Sequence, residues 1–79
     1  MTRNDLAKRL KQRPFAPFRL IVSEGANYEI RHPEQVILAR DSVTIGVPSE
    51  SEEFYETTVL VDLLHVIRLE PILAQAAKA

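Results

Sequence analysis

The chain predicts an α+β, mainly β domain: a short N-terminal helix packed on a small antiparallel curved sheet or partly closed barrel of five to six strands. Three observations lead there. Helical spacing of apolar residues is confined to the segment before Pro14. From Phe18 onward apolar and polar residues alternate with a period of two, the signature of half-buried strands. Glycine, proline, aspartate and serine then interrupt that alternation at short intervals, as turns do.

Taken in order, Thr2 to Gln12 reads as the helix, with Thr2 or Asn4 as N-cap and Asp5 placed to favour the positive end of the helix dipole. Leu6, Ala7 and Leu10 form a narrow apolar stripe, and Lys8, Arg9 and Lys11 take the remainder. Pro14 ends the helix, and the RPFAPF stretch must run extended because each proline restricts itself and the residue before it. Phe15 and Phe18 are the groups available to anchor this crossing.

A first strand begins at Phe18, with Phe18, Leu20 and Val22 on one face. Gly25 supplies the positive φ of a hairpin turn, and Tyr28 and Ile30 resume the apolar face beyond it. Pro33 breaks the second strand. Gln35 to Arg40 is nearly continuous in apolar residues and predicts a buried central strand. Asp41 and Ser42 turn the chain into a fourth strand carrying Val43, Ile45 and Val47 and ending at Pro48, and the acidic stretch that follows predicts a mobile surface loop without packing. Phe54 to Val61 gives a fifth strand, VDLLH one helical turn, and Val66 to Glu70 a sixth with Ile67 and Leu69 pointing the same way. Residues 71–79 form a short tail, too brief for a stable isolated helix. The expected core is Leu6, Leu10, Phe15, Phe18, Leu20, Val22, Tyr28, Ile30, Val36, Leu38, Val43, Ile45, Val59, Val61, Ile67 and Leu69.

A length of 79 residues makes residues 1–79 a single domain, and 46% hydrophobic with 27% charged residues is the composition of a folded one. The absence of cysteine removes disulfides and thiolate chemistry. No apolar run is long enough to span a bilayer and no hydrophobic signal core is present, so no membrane association and a cytoplasmic location are expected. Packing alone gives a chain this small little margin, which makes self-association or another protein the expected partner. Charge divides unevenly: up to Arg19 there are six cations and one acid, a balance of +5, and beyond it four cations and ten acids, a balance of −6. The basic segment suits either an anionic partner or an acidic protein surface.

The order of elements is similar to that of the Sm-like and SH3-like small barrels. The sequence itself resembles a set of short bacterial proteins that share a helix, an RPFxPFR stretch, a Gly-centred hairpin, an HPE turn and a final H-I or H-V followed by R-x-E. Here these are Arg13, Pro14, Phe15, Pro17, Phe18, Arg19, Gly25, His32, Pro33, Glu34, His65, Val66, Arg68 and Glu70. That resemblance brings no activity with it. Sm-like proteins form rings and bind RNA, and this chain has no Sm nucleotide-binding motif in its loops.

No constellation of chemistry-bearing residues emerges. A metal site would need His32, Glu34 and His65 to converge, and each histidine stands at a strand boundary where a ring can cap backbone groups instead. The serines lie in turns, and the carboxylates of SESEEFYE sit in a polar loop that cannot drive their pKa values apart. With only Gly25 and Gly46, no phosphate-cradling loop can be written. Arg19 and Arg68, within strands, are placed to pair with Glu29 or Glu70. No catalytic, cofactor or metal residue is expected, hence no enzyme and no cofactor; the expectation is a non-enzymatic interaction or assembly module. The alternative is RNA binding by the basic helix of an Sm-like barrel, through Arg3, Lys8, Arg9, Lys11 and Arg13.

Overall fold

The computed structural model describes residues 2–51 and 53–72. Helix α1 (Arg3–Lys11) is followed by strands β1 (Phe18–Val22), β2 (Asn27–Ile30), β3 (Val36–Leu38), β4 (Ser42–Pro48), β5 (Tyr55–Asp62) and β6 (Val66–Pro71). Pro33–Gln35 and Leu63–His65 each form one 3₁₀ turn. The strands build two three-stranded antiparallel sheets, ordered β2-β1-β6 and β3-β4-β5, and the two are not closed into a barrel.

Helix α1 starts where the chain's own chemistry caps it. Thr2 Oγ1 accepts from the Asp5 N–H at 3.1 Å, and hydrogen bonding from the Thr2 side chain, then from its backbone, holds the Asp5 carboxyl below the usual carboxylate range. At the other end Arg13 Nη1 donates to the carbonyls of Leu10 and Gln12, at 2.9 and 2.8 Å, which satisfies acceptors the helix leaves open. Leu6 is the helix residue that the core encloses, with Leu10 partly covered beside it.

Burial along β1 alternates as the sequence pattern requires, with Phe18, Leu20 and Val22 inside. Gly25 has φ 95° in the turn to β2, where its N–H donates to the Val22 carbonyl at 2.9 Å. Phe15 tilts against Phe18, their ring centroids 6.0 Å apart, so the RPFAPF crossing is anchored on the core.

Three expectations change. The stretch after Gln35 is a three-residue edge strand and not a buried central one, because among the described residues β3 pairs only with β4, and Ile37 is 68% exposed. On β6 the register shifts between Ile21 and Val22, so Leu20 faces Leu69 while Val22 faces Val66. That bulge breaks the alternation: Val66 and Leu69 turn toward the core, and Ile67, expected inside, stands 53% exposed. Strand β6 also runs to Pro71, and the Ile72 N–H donates to the Pro17 carbonyl at 3.2 Å, so the tail expected from residue 71 begins with ordered strand. The rest of that tail, residues 73–79, lies outside the described residues.

One buried polar residue bridges the two sheets. Gln35 is buried at the end of the HPE turn, and its Nε2 donates to the Glu29 carbonyl of β2 at 2.8 Å and to the Gly46 carbonyl of β4 at 2.9 Å. Its Oε1 accepts from the Arg31 N–H at 3.0 Å. Both hydrogens of the amide nitrogen are thus used, and two strands of different sheets share one side chain. Leu63 closes the opposite corner, buried in the 3₁₀ turn that carries the chain from β5 to β6, where Asp62 caps the Leu64 N–H at 2.9 Å.

Candidate interaction surface

The five cations expected to form an anion-binding patch divide by role. Arg9 is half-buried, its guanidinium 5.3 Å from the centroid of the Phe18 ring, and its Nε is buried without a hydrogen-bond partner among the described residues. Arg13 is committed to the helix C-terminus. Arg3, Lys8 and Lys11 are exposed and form no ion pair among the described residues. Four of the five are thus exposed, and three of these, Arg3, Lys8 and Lys11, lie along the helix.

The strand arginines pair as their positions foretold. Arg19 Nη2 meets Glu29 Oε2 at 3.1 Å directly across the β1–β2 ladder, and Arg31 meets the other carboxylate oxygen at 3.1 Å. Hydrogen bonds from Arg19, then from Arg31, hold the Glu29 carboxyl below the usual range. Arg68 pairs with Glu70 at 2.7 Å along β6.

The histidines go separate ways. His32 precedes the first 3₁₀ turn without a side-chain capping bond, so the expected role there is absent. His65 Nδ1 lies 3.3 Å from the Ser23 hydroxyl, and the His65 carbonyl accepts from the Ser23 N–H at 2.8 Å, tying the β1–β2 turn to the corner before β6. Among the described residues no three His, Asp or Glu side chains gather as metal ligands would.

His32 lines a cleft of about 640 Å³ between the HPE turn and the loop after β4, together with Arg31, Glu34, Ser49, Phe54 and Tyr55. The loop is more organised than its composition suggests. Ser49 Oγ stands 2.9 and 2.8 Å from the carbonyls of Ser51 and Phe54, which share its single O–H, and accepts from the Ser51 N–H at 3.0 Å. Tyr55 crosses the outside of β4 at Gly46, where a Cβ would stand only 2.8 Å from its ring. The ring covers the backbone that glycine leaves bare.

The outer face of the β3-β4-β5 sheet carries the signal that sequence reading missed. The ladder puts Ile37 opposite Thr44 and Thr44 opposite Leu60, which forms one row across three strands. Ile37 is 68% and Leu60 72% exposed. No element among the described residues lies over this row. An alternating strand has an apolar face and a polar one, and Leu60 breaks that rule by standing on the side of Thr58 and Asp62; this break was the available clue.

No family model, curated protein or solved structure matches the chain. No helix of the described residues is long and apolar enough to cross a membrane.

Proposed function

We propose that this protein is a non-enzymatic assembly module, acting in the cytoplasm, that engages a protein partner through the outer face of the β3-β4-β5 sheet. One observation supports it above the others: Ile37 and Leu60 stand exposed on either side of Thr44, on a face with no covering element among the described residues. Exposed leucine and isoleucine side chains in a cross-strand row lose hydration cost when a partner covers them, and such rows mark contact surfaces. A photo-crosslinking residue placed at Thr44 tests it in cells. Adducts should form there and be absent when the same residue replaces Glu24 in the β1–β2 turn. Equal yields at both positions, or none, would remove the proposal.

RNA binding is the second reading, favoured by the solvent-facing row Arg3, Lys8 and Lys11. Phosphate contacts of this kind weaken steeply with added salt. Lys8→Glu with Lys11→Glu should then abolish binding to any RNA sequence; wild-type chain that binds no RNA at low salt sinks this alternative.

A further inference from the structure

We infer that the groove between α1 and β6 binds a phosphate monoester through Lys8, Arg9 and Arg68. The site is independent of the assembly reading above, since no residue of the β3-β4-β5 face lines it. The groove has a volume of about 370 Å³, with Asp5, Lys8 and Arg9 on the helix side and Ile67, Arg68 and Leu69 on the strand side. That is room for a phosphate group and one small apolar substituent.

Arg9 carries the argument furthest. Its guanidinium lies 5.3 Å from the centroid of the fully enclosed Phe18 ring. A surface arginine loses rotamer freedom when it grips an anion; here contact with Phe18 has already removed much of that freedom. Among the described residues Arg9 forms no ion pair, and its Nε is buried without an acceptor. Buried N–H groups of folded chains are almost always paired, so this one calls for an acceptor that the described fold does not supply. Lys8 stands beside it, also without an ion pair among the described residues. Asp5, the one acid lining the groove, is engaged by Thr2 at the start of the helix. Across the groove, Arg68 uses its Nε on Glu70 at 2.7 Å, but the two side chains are 58% and 38% exposed. Exposed pairs of this kind are weak, so the guanidinium can turn to a bound anion.

The donors select the ligand class. Three cationic heads from two elements match the three terminal oxygens of a phosphate monoester, which carries nearly two charges at neutral pH. A carboxylate or a phosphodiester offers two such oxygens and one charge. Ile67 adds the apolar contact. The register shift that leaves it 53% exposed also places it on the groove, and bulges that re-aim a side chain are common beside binding sites. The ester's apolar substituent would cover Ile67 and Leu69.

Titration of the isotope-labelled full chain with phenyl phosphate at low salt, followed by NMR, tests the site. The Arg9 Nε–H signal should shift together with the amides of Ile67 and Arg68. Phenyl phosphate should bind about tenfold or more tightly than benzoate or dimethyl phosphate, the second of which has the charge of a nucleic-acid backbone unit. Arg68→Gln should weaken binding by about fivefold or more, whereas Lys11→Gln, an equal loss of charge outside the groove, should change it by less than about twofold. Ile67→Ser should bring phenyl phosphate down to the affinity of inorganic phosphate. A phosphoserine peptide separates the two sources of such a group: binding as tight as that of phenyl phosphate supports the site as a reader of modified protein, and weaker binding supports it as a site for a small ester. Equal affinities for the three organic anions, equal effects of Arg68→Gln and Lys11→Gln, or an Arg9 Nε–H signal that does not move would overturn the assignment.

Discussion

Replacing Gln35 by leucine tests how the two sheets are joined. The bond from its amide to the Gly46 carbonyl is buried, and a carbonyl left there without a donor costs about 1–3 kcal/mol. The bonds to Glu29 and Arg31 are only part-buried, so water can replace the amide, and each contributes about 0.5–1.5 kcal/mol. Leucine regains about 1 kcal/mol through apolar burial. Gln35→Leu should therefore lower the unfolding free energy by about 3 kcal/mol, against a total of about 4–12 kcal/mol for a chain of this length. In urea, with a slope of about 1–1.5 kcal/mol per molar, the midpoint should fall by about 2 M. Gln35→Glu sharpens the test, because its carboxylate would face two carbonyl oxygens. Burial and those acceptors raise its folded pKa above the unfolded value, so this variant is most stable below the unfolded pKa and loses stability as pH rises through the folded one. A Gln35→Leu midpoint within about 0.3 M of wild type, or a Gln35→Glu variant with the wild-type pH profile, would refute the role of the amide as the tie between sheets.

Phe18 is fully enclosed and supports both Phe15 and Arg9, so Phe18→Ala should cost about 3–5 kcal/mol and come close to unfolding the domain, with half-buried Phe15→Ala costing clearly less by thermal melting. Gly46→Ala should displace the Tyr55 ring and cost about 1–3 kcal/mol, and in a Tyr55→Ala background the same change should cost little; strict additivity in a double-mutant cycle would show that the two do not touch. Arg19→Ala should raise the Glu29 titration midpoint seen by carbon-detected NMR. Since the folded pKa of Glu29 is depressed, its contribution is complete above the unfolded value and disappears as pH falls through the folded one, so this variant should show a flatter acid limb; an unmoved Glu29 midpoint would mean the ion pair is not populated.

What was legible in the sequence, and what was not, divides on physical lines. The Phe18-Leu20-Val22 alternation and the Gly25 turn depend on neighbours in the chain, and both emerge as read. The pairing of Arg19 with Glu29 follows from hairpin register alone. Ile67 was misplaced because a bulge, which only its ladder with β1 reveals, resets which face each residue takes. Leu63 and Val66 were missed for a related reason: they lie in a tight corner where neither strand nor helix periodicity applies, yet the corner folds inward between the sheets. Gln35 looked like the polar start of an apolar strand, and its value comes from two carbonyls contributed by distant segments. The surface row of Ile37 and Leu60 joins residues far apart in sequence, and only the strand order β3-β4-β5 brings them together.

The attachment of α1 has a thermodynamic consequence for how the domain opens. Leu6 is the helix's only enclosed side chain, and among the described residues no main-chain ladder binds the helix to either sheet. The strands, by contrast, share continuous ladders around Leu20, Val43 and Ile45. Lifting the helix therefore requires less work than separating the sheets, and the domain comprises two cooperative units of unequal protection. Amide hydrogens of α1 should exchange through the cheaper opening and those of β1 and β4 mainly through global unfolding, and equal protection of the two would refute this. Such an opening would take Arg9 off the Phe18 ring, 5.3 Å from its centroid in the folded chain, and expose it beside Lys8 and Lys11.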